Sequence, residues 1–311
     1  MNSHAVVLHE PKRLSLVDLA LKSREDDDVV VAVHYSGVST GTEKLFWSGT
    51  MPPFPGMGYP LVPGYETVGE VVEAGPTSGR KPGDFVFVPG ASCYRDMRGL
   101  FGGASSRIVT PGNRTTIAPR NAQSVLMALA ATAYHALQTC PSKMPDLIIG
   151  HGVLGRLIAR LAIACGAPAP TVWETDPERR TGAQGYTVVD PAEDERRDYG
   201  CICDASGDSA ILDPAIRHLS RGGTVVLAGF YDQRVAFAFA PAFIKECAIR
   251  IAAEWRPEDL AAVSTLVEEA RLPLDGLITH RSHPEHADNA YQTAFFDRNC
   301  LKMILDWRDI Q

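Results

Sequence analysis

The chain has 311 residues, of which 45% are hydrophobic and 22% charged, so we expect a soluble globular protein of two ordinary domains. Its net charge of −7 argues against nucleic acid as a partner. No apolar run approaches the ~20 residues of a membrane-spanning helix, and the N-terminus lacks a signal-peptide pattern. The seven scattered cysteines include no C-x-x-C pair. We therefore predict a cytoplasmic protein that is not membrane-spanning.

Short apolar runs separated by turn residues dominate the first 119 residues and predict β-strands. The predicted strands cover residues 5–8, 14–17, 29–35, 67–74 and 85–89, with two more within 104–117. Residues 36–64 are rich in glycine, proline and aromatic side chains, and we predict an ordered but irregular segment there. The pattern indicates a barrel-like all-β module.

From Ser124 onward the apolar periodicity becomes helical, and strands then alternate with helices. Predicted helices cover residues 125–131, 133–139, 209–219 and 257–270, besides one that follows the glycine-rich turn described next. Predicted strands cover residues 147–149, 171–173, 201–205, 223–228, 248–253 and 301–305. Alternation of this kind predicts a doubly wound parallel sheet, and hence an α/β fold class.

The most informative motif is a strand that runs into G-x-G-x-x-G at Gly150, Gly152 and Gly155. A helical pattern follows, and a second strand ends at Glu174, nineteen residues after the last glycine. This is the dinucleotide-binding fingerprint: the glycines permit a tight turn, close approach of the pyrophosphate and close helix packing. The helix N-terminus favours phosphate, and we expect His151 to contact it.

The acid at the end of the second strand decides between the two nicotinamide dinucleotides. Glu174 is placed to accept the ribose hydroxyls and would repel a 2′-phosphate, which favours NAD. Arg179 and Arg180 follow closely and keep NADP open, since either could reach such a phosphate. Solvated charges on the next helix are the simpler interpretation of both arginines.

Six motifs resemble the medium-chain dehydrogenase/reductase family over nearly the whole chain. They are Gly37-Val-Ser-Thr-Gly-Thr-Glu43, Pro60-Leu-Val-Pro-Gly-Tyr-Glu66, Lys81-Pro-Gly-Asp84, Ala131-Thr-Ala-Tyr-His135, Gly150–Gly155 and Gly222-Gly-Thr-Val-Val-Leu-Ala-Gly229. The resemblance implies a partly open, GroES-like β-barrel catalytic domain (1–119 and 256–311), a Rossmann domain (120–255), and an active site between them. It also implies cofactor contacts from Thr132, Val153, Leu154, Ala205, Ser206 and Gly229.

The sequence departs from the zinc-dependent members of that family. Where those members have a Cys and a His as zinc ligands, this chain has Ser39 or Thr40 and Tyr65. A hydroxyl does not replace a thiolate or an imidazole as a zinc ligand, and the four-cysteine structural zinc loop is also missing. We therefore predict that the site holds no metal. Glu66, which follows the lost ligand position, is expected to remain as an orphan, without a partner.

Oxidation of an alcohol without zinc needs another group to handle the hydroxyl proton. Thr42 matches a family hydroxyl near the substrate oxygen and nicotinamide ribose, although an ordinary turn threonine is an equal interpretation. Tyr65 is expected to point into the site. Glu66 is expected to orient Tyr65 or Lys44, or to be a structural remnant.

The resemblance is strongest to zinc-free members that use NAD to oxidise a 1-hydroxyethyl group on a magnesium tetrapyrrole to acetyl. The assignment of this substrate rests on the resemblance alone. The resemblance is also compatible with a homodimer. Phe46, Trp47, Phe54 and Tyr59 would suit a flat apolar ligand, and equally a structural core. Two alternatives stay open: a quinone or enoyl reductase of the same fold that uses NADPH, and a non-catalytic dinucleotide- or pigment-binding protein.

Overall fold

The computed structural model describes residues 1–141, 144–231 and 233–310. The chain forms two compact units: Met1–Ala128 with Leu277–Gln311, and Leu129–Gly276. Both boundaries lie later than the 119/120 and 255/256 divisions expected from the sequence. The second boundary moves because the segment after residue 256 packs within the second unit, where His135 Nδ1 lies 2.9 Å from Asp259 Oδ2.

The first unit is built mainly from antiparallel strands, as its short alternating runs predict. Its N-terminal strands are β1 (Asn2–Glu10), β2 (Arg13–Ala20), β3 (Asp28–Val38), β4 (Leu61–Val62), β5 (Thr67–Ala74), β6 (Phe85–Val88), β7 (Arg98–Gly99), β8 (Arg107–Pro111) and β9 (Thr116–Ile117). Four of them form a sheet in the order β2-β1-β4-β7. The other five belong to a seven-stranded sheet, in which β3, β5, β6 and β9 are neighbours in that order and β8 also pairs with β3.

The end of the chain completes the first unit, as the family resemblance implied. Strand β16 (His280–Ser282), helix α7 (Ala287–Phe296) and strand β17 (Met303–Asp306) follow one another there. Strand β17 pairs antiparallel with β3, with Met303 opposite Val38 and Asp306 opposite Tyr35. Residues 36–38 and 302–306 therefore lie side by side, although more than 260 positions separate them in the sequence.

The segment predicted to be irregular, residues 36–64, contains a helix that sequence periodicity missed. Helix α1 (Thr42–Ser48) has only seven residues and ends at Gly49, whose φ of 77° is left-handed. So short a helix is marginal alone, and burial of Phe46 and Trp47 in the core stabilises it here.

The second unit is a parallel sheet with helices, as predicted. Its helices are α2 (Met127–Thr139), α3 (Val153–Ala164), α4 (Leu212–His218), α5 (Phe239–Lys245) and α6 (Pro257–Glu268). Its strands are β10 (Leu147–Ile149), β11 (Thr171–Trp173), β12 (Thr187–Val189), β13 (Tyr199–Asp204), β14 (Leu219–Leu227) and β15 (Ala248–Ile251). Among the described residues, no helix has the length and apolar character needed to cross a membrane.

The six strands of this sheet are all parallel and follow the order β12-β11-β10-β13-β14-β15. Relabelled by their order in the chain, they read 3-2-1-4-5-6, the Rossmann order. The direction of winding reverses between β10 and β13. In such sheets the ligand binds at the carboxyl ends of these two strands, which are followed here by Gly150 and Ala205.

Candidate active site and cofactor site

The glycine-rich turn after β10 has the geometry that a dinucleotide phosphate requires. Gly150 has φ of +94°, and a Cβ there would lie 3.0 Å from the backbone of Ser206. A Cβ on Gly155 would lie 1.8 Å from the Gly150 carbonyl oxygen, so only glycine allows α3 to pack this closely. A Cβ on Gly152 would meet nothing within 4 Å, which leaves space for a ligand to approach the backbone.

The start of α3 offers backbone donors rather than a side-chain cap. Gly152 is its N-cap, and no described side chain bonds to the first turn, whose residues include Val153 and Leu154. Uncapped N–H groups and the positive end of a twelve-residue helix suit a pyrophosphate. The open space at Gly152 and this uncapped terminus together fit a bound dinucleotide.

Glu174 lies directly after β11 and reaches back to the glycine turn. Its Oε2 accepts a hydrogen bond from the backbone N–H of His151 at 3.1 Å, and its Oε1 accepts one from Asp176 at 2.9 Å. The carboxylate thereby ties the turn to the segment that follows β11. An acid held at this place is positioned for ribose hydroxyls.

His151 does not have the phosphate-facing side chain that the sequence suggested. Its ring is fully buried, with Nδ1 2.7 Å from the carbonyl oxygen of Arg179 and Nε2 2.8 Å from the Tyr186 hydroxyl. Burial lowers its pKa to about 4, so the ring is neutral at pH 7. A neutral ring with Nδ1 donating and Nε2 accepting satisfies both contacts. The backbone of His151, not its imidazole, belongs to the turn.

The two arginines after Glu174 have structural partners. Arg180 donates to the backbone oxygens of Glu174 and Thr175 and pairs with Asp190. The carbonyl oxygen of Arg179 accepts from His151 and also from Arg156, which is buried on α3. These bonds fix the loop 179–182 in place, and they engage the Arg180 guanidinium that could otherwise reach a 2′-phosphate.

The remaining cofactor candidates lie on other elements of the second unit. Thr132 is on α2, and Ala205, Ser206 and Gly229 follow the carboxyl ends of β13 and β14. Ser206 donates from Oγ to Asp204 at 2.7 Å, while the Gly229 N–H donates to the Asp204 carbonyl at 3.2 Å. Asp204 is fully buried, and burial raises its pKa. It orders the turn that borders Gly150.

In the first unit, three hydroxyl groups meet after β3 and before β5. Ser39 Oγ lies 2.6 Å from the Tyr65 hydroxyl, and the Thr42 side chain also hydrogen-bonds to Tyr65. Ser39 is buried whereas Thr40 is exposed, so Ser39 is the hydroxyl that faces Tyr65 at this position. Burial and the nearby Glu66 raise the pKa of Tyr65, which keeps the phenol protonated at neutral pH.

Beside these hydroxyls lies a buried ion pair. Lys302, at the residue before β17, donates from Nζ to both oxygens of Glu66, at 2.9 and 2.7 Å, and to the Val38 carbonyl at 3.2 Å. The side chains of Lys302 and Glu66 are 1% and 0% exposed. The prediction of an orphaned Glu66 was therefore wrong: the antiparallel pairing of β17 with β3 brings the lysine to it.

A second buried carboxylate, Glu43 of α1, lies in the same network. It accepts from the Tyr291 hydroxyl at 2.7 Å and from the backbone N–H of Ser39 at 3.2 Å. Burial, with a further contribution from the charge of Glu66, raises the pKa of Glu43 to about 7. Burial thus brings protonation of this carboxyl into the neutral pH range, well above that of an exposed glutamate.

Comparison with known proteins agrees with this architecture. Residues 25–120 match the alcohol dehydrogenase GroES-like domain. The chain is 56% identical to the 2-desacetyl-2-hydroxyethyl bacteriochlorophyllide A dehydrogenases of Rhodobacter capsulatus and Cereibacter sphaeroides, in each case over 99% of both chains. The chain belongs to the medium-chain dehydrogenase/reductase family.

A solved structure shares the fold. The 2R,3R-butanediol dehydrogenase from Bacillus subtilis superposes with a TM-score of 0.84 at 21% identity, over 98% of this chain and 99% of that one. The predicted fold class, a GroES-like domain combined with a parallel-sheet Rossmann domain, is confirmed.

The structure does not bring Lys44 to the hydroxyl network. Lys44 is exposed, and its Nζ lies 5.7 Å from the centre of the Phe296 ring. Consecutive residues of a helix point in different directions, so Glu43 turns inward while Lys44 faces outward. Glu66 pairs with Lys302 and not with Lys44. We therefore set Lys44 aside as a candidate for proton transfer.

Two of the four aromatic candidates belong to the core. Phe46 is fully buried and Trp47 is 7% exposed, packed against Phe295 and Phe296, so neither presents a flat surface to a ligand. Tyr59 is half-buried and donates its hydroxyl to the Phe46 carbonyl. Of the two interpretations open for Phe46 and Trp47, a ligand surface or a structural core, the structure shows the core, because α1 turns both side chains inward.

An exposed aromatic surface does exist, but it is formed by other rings. Phe54 and Phe101 are 36% and 38% exposed, and both pack against buried Phe46, with ring centres 6.2 and 6.3 Å from it. The Phe101 ring also meets the Tyr65 ring edge-on at 5.7 Å. An apolar ligand that contacts Phe101 would therefore lie near the Tyr65 ring. Sequence reasoning had not singled out Phe101.

Metal-ligating side chains do not cluster in the described part of the chain. No group of three or more His, Cys, Asp or Glu residues there has the geometry to hold a metal ion. At the position of the zinc ligands, the side chains are the hydroxyls of Ser39 and Tyr65, a poor donor set for zinc.

Proposed function

We propose that this protein is an NAD-dependent alcohol dehydrogenase of bacteriochlorophyll a biosynthesis. It oxidises the C3 1-hydroxyethyl group of a bacteriochlorophyllide a precursor to acetyl, in the cytoplasm and without zinc. The observation that carries the proposal is the 56% identity, over 99% of both chains, to relatives whose names state a hydroxyethyl bacteriochlorophyllide dehydrogenase.

The proposed cofactor is NAD, which accepts the hydride when bound. The chain's own residues supply its site: the uncapped N–H groups of α3 for the pyrophosphate, the open backbone at Gly152, and the carboxylate of Glu174 for the ribose. The bonds of Arg180 to Glu174, Thr175 and Asp190 support NAD over NADP, because they occupy the guanidinium.

Tyr65 and Thr42 are the proposed groups that meet the substrate oxygen. A phenol that stays protonated can donate a hydrogen bond to the oxygen as negative charge develops on it, the role that zinc has in other members. The Thr42 hydroxyl, bonded to Tyr65, can carry the proton onward. Exposed Phe101 and Phe54 offer the macrocycle a flat surface beside these groups.

Replacing Glu174 by alanine tests the proposed cofactor preference. Loss of a charged hydrogen bond costs about 1.5–3 kcal/mol, so we expect the KM for NAD to rise roughly 10- to 150-fold and the preference over NADP to narrow. Glu178→Ala, an exposed carboxylate four residues on, is the matched control and should leave both constants unchanged. Equal use of NAD and NADP by the unmutated protein would contradict the preference.

We also propose a homodimer formed through the edge strand of the Rossmann sheet. Among the described residues, strand β15 pairs with β14 alone, and it exposes Ile251 at 75%, while the adjoining α5 exposes Phe239, Phe243 and Ile244 at 69–72%. Two copies of such an edge can pair with each other and cover both apolar surfaces at once. Light scattering should give twice the mass of the chain; a monomer at micromolar concentration would refute this interface.

The experiment that tests the function is incubation of the pure protein with NAD and the hydroxyethyl pigment. We expect one NADH for each pigment consumed. A carrier or sensor would bind pigment and dinucleotide without forming NADH, and a quinone or enoyl reductase would consume NADPH with a quinone or enoyl substrate instead.

A further inference from the structure

Helix α3 buries two guanidinium groups one helical turn apart, on Arg156 and Arg160. The two residues are 5% and 3% exposed. Burial of an ionised side chain costs stability unless its donors are hydrogen-bonded, so the partners of each guanidinium show what it holds in place. These partners differ: Arg156 bonds the glycine-rich turn and the loop 179–182, whereas Arg160 bonds the segment after α6.

Arg156 donates to four backbone carbonyl oxygens from a single side chain. Its Nε bonds the carbonyl oxygen of His151 at 3.0 Å. Its two Nη atoms bond the carbonyl oxygens of Arg179, Thr181 and Gly182, at 3.1, 2.8 and 3.1 Å. A planar guanidinium has five N–H donors in a fixed fork, and a lysine ammonium cannot span the same set. Arg156 therefore ties the glycine-rich turn to this loop.

The backbone of His151 connects Arg156 to the carboxylate of Glu174. The His151 N–H donates to Glu174 Oε2 at 3.1 Å, while the His151 carbonyl oxygen accepts from Arg156. The other carboxylate oxygen, Oε1, accepts from the Asp176 N–H at 2.9 Å. Each carboxylate oxygen has two acceptor sites, so both keep one for a ribose hydroxyl. The orientation of Glu174 thus depends on a turn that Arg156 holds.

We propose that Arg156 is a positioning residue for the cofactor: it holds the His151 carbonyl and the loop 179–182, and thereby fixes the Glu174 carboxylate for the ribose of NAD. This inference rests on the proposed function and adds to it a residue that acts on NAD through Glu174. Arg160 does not share the role. It donates to the carbonyl oxygens of Pro273 and Asp275 at 2.9 and 3.0 Å and bonds Tyr186, and not the His151 carbonyl.

Titration of NAD into the protein without pigment tests this role. We expect Arg156→Met to weaken NAD binding about tenfold when Glu174 is present, the effect of losing the bonds that orient one charged acceptor. In protein that carries Glu174→Ala, the same change should weaken binding by less than about twofold, because residues that act as a unit are not additive. Equal weakening in both backgrounds would overturn the proposal, since Arg156 would then act independently of Glu174.

Two further variants separate the hydrogen bonds of Arg156 from its charge and its burial. Arg156→Lys keeps the charge but cannot reach all four carbonyl oxygens, so it should weaken NAD binding as Arg156→Met does. Arg160→Met removes an equally buried guanidinium from the same helix and should leave the Kd for NAD within about twofold of the unmutated value. Full NAD affinity in Arg156→Lys, or an equal loss in Arg160→Met, would contradict the proposal.

Gly182→Ala disturbs the same contact from the exposed loop and leaves α3 unchanged. A Cβ on Gly182 would lie 2.6 Å from Arg156 Nη1, so the guanidinium must move away from its carbonyl partners. We expect NAD binding to weaken at least about threefold. Gly166→Ala is the control: its φ of +85° gives a strain like that of Gly182 at +77°, but its Cβ meets nothing within 4 Å. Equal NAD affinity in these two variants would count against the role of Arg156.

The proposed function and the role of Arg156 can fail separately, because oxidation of the pigment and binding of NAD are different measurements. If the unmutated protein oxidises the pigment with NAD while Arg156→Met binds NAD normally, the positioning role is wrong and the function stands. If the NAD titrations give the expected results but the pigment is not oxidised, the proposed substrate fails and the role of Arg156 stands.

Discussion

Replacing Lys302 by methionine is expected to destabilise the first unit by about 3–5 kcal/mol. Methionine keeps most of the apolar stem but removes the ammonium that bonds both oxygens of Glu66. Glu66 is fully buried, so its carboxylate would lose its counter-ion without gaining water. Denaturant unfolding followed by the fluorescence of Trp307, which is buried one residue beyond β17, would measure the loss.

A double variant provides the control for Lys302. Lys302→Met combined with Glu66→Gln removes both charges and should recover much of the lost stability, since no uncompensated charge remains. Arg13→Met, which breaks an exposed pair with Glu10, should leave the unfolding midpoint unchanged. If Lys302→Met were as stable as the unmutated protein, Glu66 would have to be neutral or hydrated, contrary to the buried ion pair.

Replacing Tyr65 by phenylalanine is expected to lower kcat by about 10²- to 10³-fold, the usual effect of losing one donor to a developing oxyanion. The ring, with its edge-on contact to Phe101, is retained, and only the hydroxyl that bonds Ser39 is lost. NAD binding, measured by titration, should be unaffected. Steady-state kinetics with the hydroxyethyl pigment gives the comparison.

Two further variants make the interpretation of Tyr65→Phe specific. Thr42→Val, which also removes a hydroxyl of the same network, should lower kcat at least tenfold while NAD still binds. Tyr94→Phe removes a buried hydroxyl elsewhere in the same unit, one that donates to the Gly102 carbonyl, and should turn over normally. Normal turnover by Tyr65→Phe would show that the substrate oxygen has another donor.

The sequence predicted the second unit well because its structure follows local rules. Gly150, Gly152, Gly155 and Glu174 each occupy the place that a strand, a turn and a helix in succession require. The side chain of His151 was misjudged because its partner Tyr186 is 35 positions away and its burial depends on the packed loop 179–182. Local patterns indicate backbone geometry and not which distant side chains fill the space around a ring.

The first unit was harder to predict, because its site is formed by contacts between distant segments. Glu66 and Lys302 are 236 positions apart, and only the pairing of β17 with β3 brings them together. A signal was present: Lys302 stands in an otherwise apolar run at the end of the chain, where a lysine needs a partner to be buried. The inward turn of Phe46 and Trp47 depends on α1, which is too short for periodicity to reveal.

The central claim is that this protein oxidises the hydroxyethyl group with NAD as the hydride acceptor and without zinc, while hydroxyl side chains meet the substrate oxygen. The most direct measurement is the absorption spectrum of the hydroxyethyl pigment during incubation with NAD and protein treated with a chelator and analysed for metal. We predict a red shift, since the new carbonyl conjugates with the macrocycle, together with one NADH per pigment and far less than one zinc per chain. No red shift, or a red shift that appears only after zinc is restored, would contradict the account.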